Sequence, residues 1–329
     1  MRILFAASPS IAVPSLEALV RLSNDHSEIE VAAVLTNPDA PRGRKGAPLP
    51  SEIGEAALRL RSETEFEVLK PLKLDASIRE RIASLKPDIL VSFAYGRIFG
   101  PKFLALFPLG GINVHPSLLP KYRGPSPVQA AILNRDTVTG ISIQTLAPEM
   151  DSGDIIASKE LQLTGSETAA SLSSVISEAA ALMLPGALLK IAAGNVKAVK
   201  QNDSGVSYCR LITREDGLID WSLNAREIEA KIRAFTPWPL CRTIHNGREL
   251  FILKANVLNR PAAELNAASG QVLGIDNKDG ILIQTGDGVL CVAELQYQAK
   301  KALHWRDFLN GARDFSAAGV NRTRLGQEF

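Results

Sequence analysis

An amide and an imidazole lie two residues apart in a short apolar stretch of the sequence, as Asn113 and His115. Residues i and i+2 of an extended strand project from the same face, so both side chains would point to one side of the strand. An amide donor beside a titratable ring can polarise a carbonyl group and move a proton. The pair could equally be a buried asparagine and a histidine whose hydrogen bonds are satisfied in the core. These two residues alone leave both interpretations open.

A candidate partner for the imidazole is Asp151, in a segment of residues 149–154 that holds further carboxylates and a glycine. The segment follows a predicted strand at residues 140–146. Carboxylates beside a glycine are typical of a turn, and a turn alone would explain them. Asp151 could instead orient or deprotonate a histidine at the same edge of a sheet.

Apolar runs alternate with helical patterns through the first part of the chain, which indicates βαβ units and a parallel sheet buried on both faces. We therefore predict an α/β, Rossmann-like, mostly parallel sheet, with ligands bound beyond the carboxyl ends of its strands. No G-x-G-x-x-G follows the first strand, so the usual dinucleotide site is not expected. Strands are predicted at residues 2–7, 31–35, 67–69, 88–93 and 112–114, and helices at 14–21, 52–61, 77–85 and 166–193.

The pattern of apolar and turn-forming residues changes near residues 202–210. Beyond that point a helix is predicted at residues 225–235, followed by short strands that are separated by glycine-containing turns. Evenly spaced short strands favour a small β-barrel, and an OB-like barrel is the leading candidate. The strands are predicted at residues 249–257, 270–275, 280–284 and 289–296, and a last helix at 305–311.

The composition narrows the class of protein. A chain of 329 residues exceeds the usual size of a single core, so two domains are expected. A formal charge of +2 is close to neutral, and any polyanionic partner would need a local basic patch. Three cysteines without paired or metal-ligand spacing predict reduced thiols and no metal site. Since neither a signal peptide nor a membrane span is evident, we expect a cytoplasmic protein.

One long connection in the predicted sheet is rich in cations. Residues 36–50 link a strand to a helix, and this length is unusual for such a connection. A solvated loop would explain the composition, and an arm that docks on phosphates would explain it as well. The cations and the glycine between them are Arg42, Gly43, Arg44 and Lys45.

Nearly the whole chain resembles the methionyl-tRNA formyltransferase family. The Asn-x-His, Ser-Leu-Leu-Pro and Asp set is shared by the wider folate-dependent formyltransferases, so it fixes the chemistry rather than the substrate. The Ile-Arg-Ala-Phe-x-Pro-Trp-Pro segment, residues 232–239, and the following barrel point to the tRNA enzymes. The matching segments are Thr36-x-Pro38-Asp39 with the cationic loop, Ala94-Tyr95-Gly96, residues 111–124, Asp151-Ser152-Gly153-Asp154 and Ile219-Asp220-Trp221.

The resemblance implies the formyltransferase fold, with a catalytic domain at residues 1–205 and an OB-like tRNA-binding domain at 206–329. It implies transfer of the formyl group of 10-formyltetrahydrofolate to the α-amine of methionyl-initiator tRNA, by a monomer that needs no metal and no membrane. Asn113, His115 and Asp151 would be catalytic. The implied folate contacts are Ser117, Leu118, Leu119, Pro120, Tyr95 and Gly96. The implied tRNA contacts are Arg42, Gly43, Arg44, Lys45, Arg210 and Arg214, with Lys231 and Arg233 as further candidates.

The sequence departs from the family pattern at three places. Pro116 is more typical of the purine-pathway relatives, Ala7-Ser8 replaces Gly-Thr, and Leu211 stands where a lysine is common. Two alternatives therefore stay open: a folate-dependent formyltransferase for a small amine, such as a nucleotide or an amino sugar, and a non-catalytic tRNA-binding relative. The barrel and the cationic loop weigh against the first alternative, and the intact trio weighs against the second.

Overall fold

A computed structural model describes residues 1–41, 46–258, 267–312, 315 and 324–326. The chain divides into two compact units. The first comprises Met1–Pro127, Val138–Gln162 and Leu172–Arg210, and the second comprises Val128–Thr137, Leu163–Ser171 and Leu211–Phe329.

The first unit is built on a seven-stranded sheet with the strand order β5-β2-β1-β6-β7-β8-β9. The five strands from β5 to β7 pair in parallel, whereas β8 and β9 pair antiparallel to their neighbours. The predicted mostly parallel, Rossmann-like sheet is therefore confirmed. In chain order the strands are β1 (Arg2–Ala7), β2 (Glu30–Leu35), β3 (Ala40–Pro41), β4 (Pro48–Leu49), β5 (Glu67–Leu69), β6 (Ile89–Phe93), β7 (Gly111–His115), β8 (Val138–Thr145) and β9 (Ile155–Gln162), of which β3 and β4 form a separate ribbon.

Burial explains which strands the sequence reveals. Every residue of β6 is buried, and so are five of the six in β1, because helices cover both faces of a parallel sheet. Strand β9 was not predicted. It is an edge strand with half of its residues exposed, so its sequence has no apolar run.

Side-chain caps begin several helices. Ser51 accepts a hydrogen bond from the Gly54 amide at 2.9 Å, and Asp75 accepts one from the Ile78 amide at 3.3 Å. Among the described residues, α6 is the one helix long and apolar enough to cross a membrane, a property that core helices of globular proteins share. The helices up to residue 192 are α1 (Val13–Asp25), α2 (Glu52–Leu60), α3 (Ala76–Ser84), α4 (Pro101–Leu104), α5 (Pro127–Leu133) and α6 (Ala169–Ala192).

The second unit holds an antiparallel sheet with the order β10-β11-β14-β13-β12, and β15 pairs with β14. This architecture is consistent with the predicted small barrel. Strand β10 was not predicted, because its buried positions alternate with half-buried ones and it carries Arg242 and His245. The elements are α7 (Ala225–Ala234), β10 (Cys241–His245), β11 (Arg248–Val257), β12 (Val272–Asp276), β13 (Gly280–Gln284), β14 (Val289–Tyr297), β15 (Leu303–His304) and α8 (Trp305–Gly311).

Candidate active site

Strand β7 presents Asn113 and His115 on one face, as the spacing predicted, and both side chains meet Asp151. The Asn113 amide Nδ2 lies 3.4 Å from Asp151 Oδ1, and His115 Nδ1 lies 3.5 Å from Asp151 Oδ2. The His115 side chain is buried, the Asp151 side chain is 15% exposed and Asn113 is half-buried. The structure therefore brings together the three residues singled out as catalytic.

The hydrogen bonds of His115 define its tautomer. Its Nε2 lies 2.9 Å from the Tyr122 carbonyl oxygen, which can only accept, so Nε2 carries a proton. Burial lowers the pKa of His115 from its usual 6.5, opposed by the Asp151 charge and the Tyr122 carbonyl. The ring is therefore neutral near pH 7, and Nδ1 faces Asp151 without a proton of its own. That nitrogen is a base.

Asp151 is fixed from two sides. Its Oδ2 accepts a hydrogen bond from the Gly124 amide at 2.8 Å, and its Oδ1 accepts one from Gln144 Nε2 at 3.0 Å. Two glycines allow this approach: a Cβ on Gly124 would lie 2.2 Å from the Cys209 carbonyl oxygen, and one on Gly153 would lie 1.7 Å from that of Thr145. Both distances are far below van der Waals contact, so side chains here would displace the carboxylate.

A buried polar network behind Asp151 was missed by the sequence analysis. Gln144 is the cross-strand partner of Asn113 in the β7–β8 pair, and it is 1% exposed. Gln201 donates to the Gln144 side-chain oxygen at 3.1 Å, and Arg123 donates to the Gln201 side-chain oxygen from Nε at 3.1 Å and from an Nη at 2.8 Å. A lone glutamine in the apolar strand predicted at residues 140–146 was the available signal, but only the antiparallel register brings it beside Asn113.

The Ser-Leu-Leu-Pro segment follows β7 and closes a tight loop. Ser117 is buried, and its hydroxyl donates to the Lys121 carbonyl oxygen at 2.5 Å. The Leu119 amide donates to the Ser142 hydroxyl at 3.0 Å, and its side chain is buried. Leu118 and Pro120 are the half-exposed members of the segment. The loop thus offers an apolar wall through those two residues, while Ser117 and Leu119 hold its shape.

The Ala94–Gly96 turn lies beside the trio, since β6 pairs with β7 and places Ser92 opposite Asn113. The Tyr95 ring is buried in the core and stacks on Phe99 at a centroid distance of 5.4 Å. Gly96 is exposed, has a φ of +78° and has open space where a Cβ would lie. A ligand could therefore approach the backbone at Gly96 more readily than the Tyr95 side chain.

The departure at Ala7-Ser8 keeps a hydroxyl where it is needed. Ser8 accepts hydrogen bonds from the Thr36 hydroxyl at 3.4 Å and from the Asn37 amide at 3.2 Å. Thr36 also lies 2.6 Å from the Ser51 hydroxyl. These bonds join the ends of β1 and β2 to the start of α2, so serine serves here as threonine would.

The predicted tRNA contacts have varied surroundings. Arg42, Gly43, Arg44 and Lys45 lie outside the described residues. Arg210 is exposed, and the guanidinium of Arg214 bonds both carboxylate oxygens of Glu249, at 2.9 and 3.0 Å. Lys231 donates to the Leu218 carbonyl oxygen at 2.6 Å, and Arg233 pairs with Glu229 at 2.6 Å. Arg210, Arg214, Lys231 and Arg233 stay predictions.

The described part of the chain contains no group of three or more histidine, cysteine, aspartate or glutamate side chains that could hold a metal ion. Cys209, Cys241 and Cys291 are free thiols. Independence from metals remains a prediction from the sequence.

Comparison with known families defines the class of protein. The Formyl transferase family matches residues 1–188, and Formyl transferase, C-terminal domain, matches residues 211–313. The fold is thus that of a formyl transferase. Methionyl-tRNA formyltransferase of Treponema denticola is 48% identical over 325 residues, 97% of this chain and 99% of that protein. The one from Borrelia hermsii is 39% identical over 314 residues, 95% and 98% of the two chains. This chain belongs to the methionyl-tRNA formyltransferase family.

Solved structures share the fold at lower identity. HypX from Aquifex aeolicus in complex with tetrahydrofolic acid is 19% identical with a TM-score of 0.59, and the match covers 96% of this chain and 48% of that longer chain. The N-formyltransferase from Helicobacter canadensis in complex with folinic acid and dTDP-3-aminofucose is 22% identical with a TM-score of 0.62, and the match covers 88% and 98%. At these identities the structures support the fold alone.

Proposed function

We propose that the protein transfers the formyl group of 10-formyltetrahydrofolate to the α-amine of methionine on initiator tRNA. The observation that carries the catalytic assignment is the meeting of an amide donor, an unprotonated imidazole nitrogen and a carboxylate at one edge of the sheet. An amine that attacks a formyl carbon requires a donor for the developing oxyanion and an acceptor for its proton. Asn113 and His115 fill these two roles.

Asn113 stabilises the charge that develops on the formyl oxygen. Its amide has two N–H bonds, and the contact with Asp151 Oδ1 at 3.4 Å uses one of them. Because the side chain is held by that carboxylate and by its strand, it needs no reorganisation when charge develops. Asn113 therefore serves as the oxyanion donor.

His115 Nδ1 takes the proton as the amine N–H bond breaks and the new carbon–nitrogen bond forms. Asp151, 3.5 Å away, stabilises the resulting imidazolium. When the bond between the formyl carbon and N10 breaks, the leaving nitrogen receives the proton held by His115 Nδ1. This step regenerates the neutral base, and the reaction balances without a covalent enzyme intermediate. Throughout, Nε2 keeps its own proton and donates it in a hydrogen bond to the Tyr122 carbonyl oxygen.

The residues beside the trio fit a folate. The half-exposed Leu118 and Pro120 give an apolar wall for its rings, and Gly96 gives open backbone at the neighbouring strand end. Gly140 leaves room for the Leu118 side chain, since a Cβ at residue 140 would lie 2.5 Å from it. We assign these contacts to the co-substrate.

The tRNA is recognised through its phosphates by cations, for which the cationic loop, Arg210 and Arg214 are the candidates. The protein acts as a cytoplasmic monomer without membrane attachment, and its three thiols are reduced there. Size-exclusion chromatography with light scattering tests this state, and a dimer at micromolar concentration would contradict it.

The experiment that tests the function is formyl transfer from 10-formyltetrahydrofolate to methionyl-initiator tRNA, with elongator methionyl-tRNA as the control acceptor. We expect rapid transfer to the initiator and much slower transfer to the elongator. No transfer to either would defeat the proposal. Transfer to free nucleotides or amino sugars, with none to tRNA, would instead favour a small-amine enzyme.

A further inference from the structure

The side chain of Gln201 can bond its neighbours in only one orientation. Its oxygen faces two N–H groups of Arg123, and a guanidinium has donors only. Its nitrogen lies 2.8 Å from the Asp151 carbonyl oxygen and 2.7 Å from the Gly153 carbonyl oxygen, which are acceptors only. Both sides therefore fix which amide atom is oxygen and which is nitrogen.

The orientation of Gln201 fixes that of Gln144. Because Gln201 presents its nitrogen, Gln144 must face it with its oxygen, at 3.1 Å. The Gln144 nitrogen then points to Asp151 Oδ1 at 3.0 Å. All three side chains behind the carboxylate are 7% exposed or less, so water does not replace these bonds readily. Each hydrogen bond in the chain from Arg123 through the two glutamines to Asp151 therefore has a defined donor and a defined acceptor.

Asp151 consequently receives an N–H bond on each oxygen, from Gln144 and from the Gly124 backbone. These two donors fix the orientation of the carboxylate and leave it with acceptor lone pairs only toward His115. The Nε2 proton of His115 is committed to the Tyr122 carbonyl, so neither Nδ1 nor Asp151 Oδ2 brings a proton to the gap between them. One proton can therefore be accepted between these two atoms, which lie 3.5 Å apart.

We propose that Arg123, Gln201 and Gln144 are positioning residues that hold Asp151 as an ionised acceptor opposite His115 Nδ1, which enables that nitrogen to take the amine proton. This inference rests on the proposed function, because the amine is that of the formyl acceptor. The three side chains do not touch the reacting atoms. They act through Asp151.

Few other titratable groups face the pair. Burial raises the pKa of the Cys209 thiol, and the charge of Asp151 acts in the same direction, so the thiol stays neutral. The Arg123 guanidinium is the nearest cation of the network and reaches the pair through the two glutamines. Within the described residues, the protonation of the site is thus governed by His115, Asp151 and the polarity of the network.

The first test needs no activity. In the protein labelled with ¹⁵N-histidine, the His115 signals are assigned among the four histidines by comparison with His115→Gln. The expected pattern at pH 7.5 is a protonated Nε2 and an unprotonated Nδ1. A protonated Nδ1 with a bare Nε2 would overturn the inference. This readout separates a failure of the network from a failure of the formyl-transfer proposal.

The second test is the pH profile of kcat/KM for Gln144→Met, which keeps the length of the side chain and removes its donor. Without that donor, the charge of Asp151 is less dispersed and stabilises the His115 imidazolium more strongly, so the acid limb of the profile should move up by about half to one pH unit. Gln201→Met, which leaves the Gln144 contact with Asp151 in place, should shift the limb in the same direction by less. It also serves if Gln144→Met does not fold.

Ser177→Ala is the matched control for the loss of a buried polar contact. Its hydroxyl is buried and donates to the Ile11 carbonyl oxygen at 2.6 Å, with no recorded bond to the trio. Its acid limb should coincide with that of the wild type, whatever the loss of thermal stability. Both glutamine variants could lose rate and stability while the acid limbs of their kcat/KM profiles coincide with that of the wild type. In that case the network is merely structural and the inference fails.

Discussion

The proposed catalytic trio and the candidate tRNA cations differ in how far their charged groups are buried and in what those groups bond. Asp151 is 15% exposed and receives N–H bonds on both of its oxygens, whereas Arg214 is 59% exposed and has a surface glutamate as its partner. Buried, directed bonds act over a few ångströms and depend on position. Exposed ion pairs contribute little individually, and their attraction for a polyanion is a sum over many groups. One altered atom should therefore matter greatly at the trio and little among the cations.

The largest effect is expected for Asn113→Ala. Loss of the oxyanion donor should lower the single-turnover formyl-transfer rate by about a hundredfold to a thousandfold. Rapid-quench measurements with saturating tRNA check this value. A loss below about threefold would remove Asn113 from the catalytic role.

A smaller but clear effect is expected for Gly153→Ala. Its Cβ would lie 1.7 Å from the Thr145 carbonyl oxygen, so the Asp151 loop must shift. We expect a loss of about 2–4 kcal/mol in the free energy of unfolding and at least a roughly tenfold slower transfer. Gly186→Ala is the control. An added Cβ at this position in α6 would meet no atom within 4 Å apart from its chain neighbours and its own helix backbone, so stability should be unchanged or slightly higher. Denaturant titration and the transfer assay compare the two, and equal behaviour would refute the steric argument.

The pH dependence of the wild-type enzyme reports on His115. Burial lowers its pKa below 6.5, and the base is the unprotonated form. As pH falls from 8, kcat/KM should decline with a midpoint below pH 6.5. A decline in kcat/KM centred above pH 6.5 would show that the charged form of the His115 ring is stabilised. That result would contradict the assignment of His115 as a neutral base.

The smallest effect is expected for Arg214→Gln. Because this guanidinium already bonds Glu249, tRNA affinity should fall by less than about threefold, and the slope of log K against log salt should change by less than one unit. Arg81→Gln is a suitable control, since Arg81 is 57% exposed and also bonds a glutamate, Glu67, through two nitrogens. Filter binding at several salt concentrations measures both. A full unit of slope lost at Arg214 alone would make it a direct phosphate contact.

The same contrast explains what the sequence can predict. Asn113 and His115 share a face because any strand alternates its side chains, so their partnership follows from spacing. The roles of Gln144 and Gln201 depend on the antiparallel register of β8 and on a loop near residue 201, which no local pattern encodes. Likewise the all-apolar β6 is evident, while the half-exposed β9 is not, because only burial on both faces leaves an apolar run.

Asp151→Asn most directly tests whether Asn113, His115 and Asp151 perform the chemistry while other surfaces bind the tRNA. The change keeps the shape of the side chain and removes the charge opposite His115. The transfer rate and the tRNA dissociation constant are measured on the same preparation. We predict that the rate falls by at least about a hundredfold while the dissociation constant changes by less than about twofold. Equal losses in rate and affinity would contradict the account.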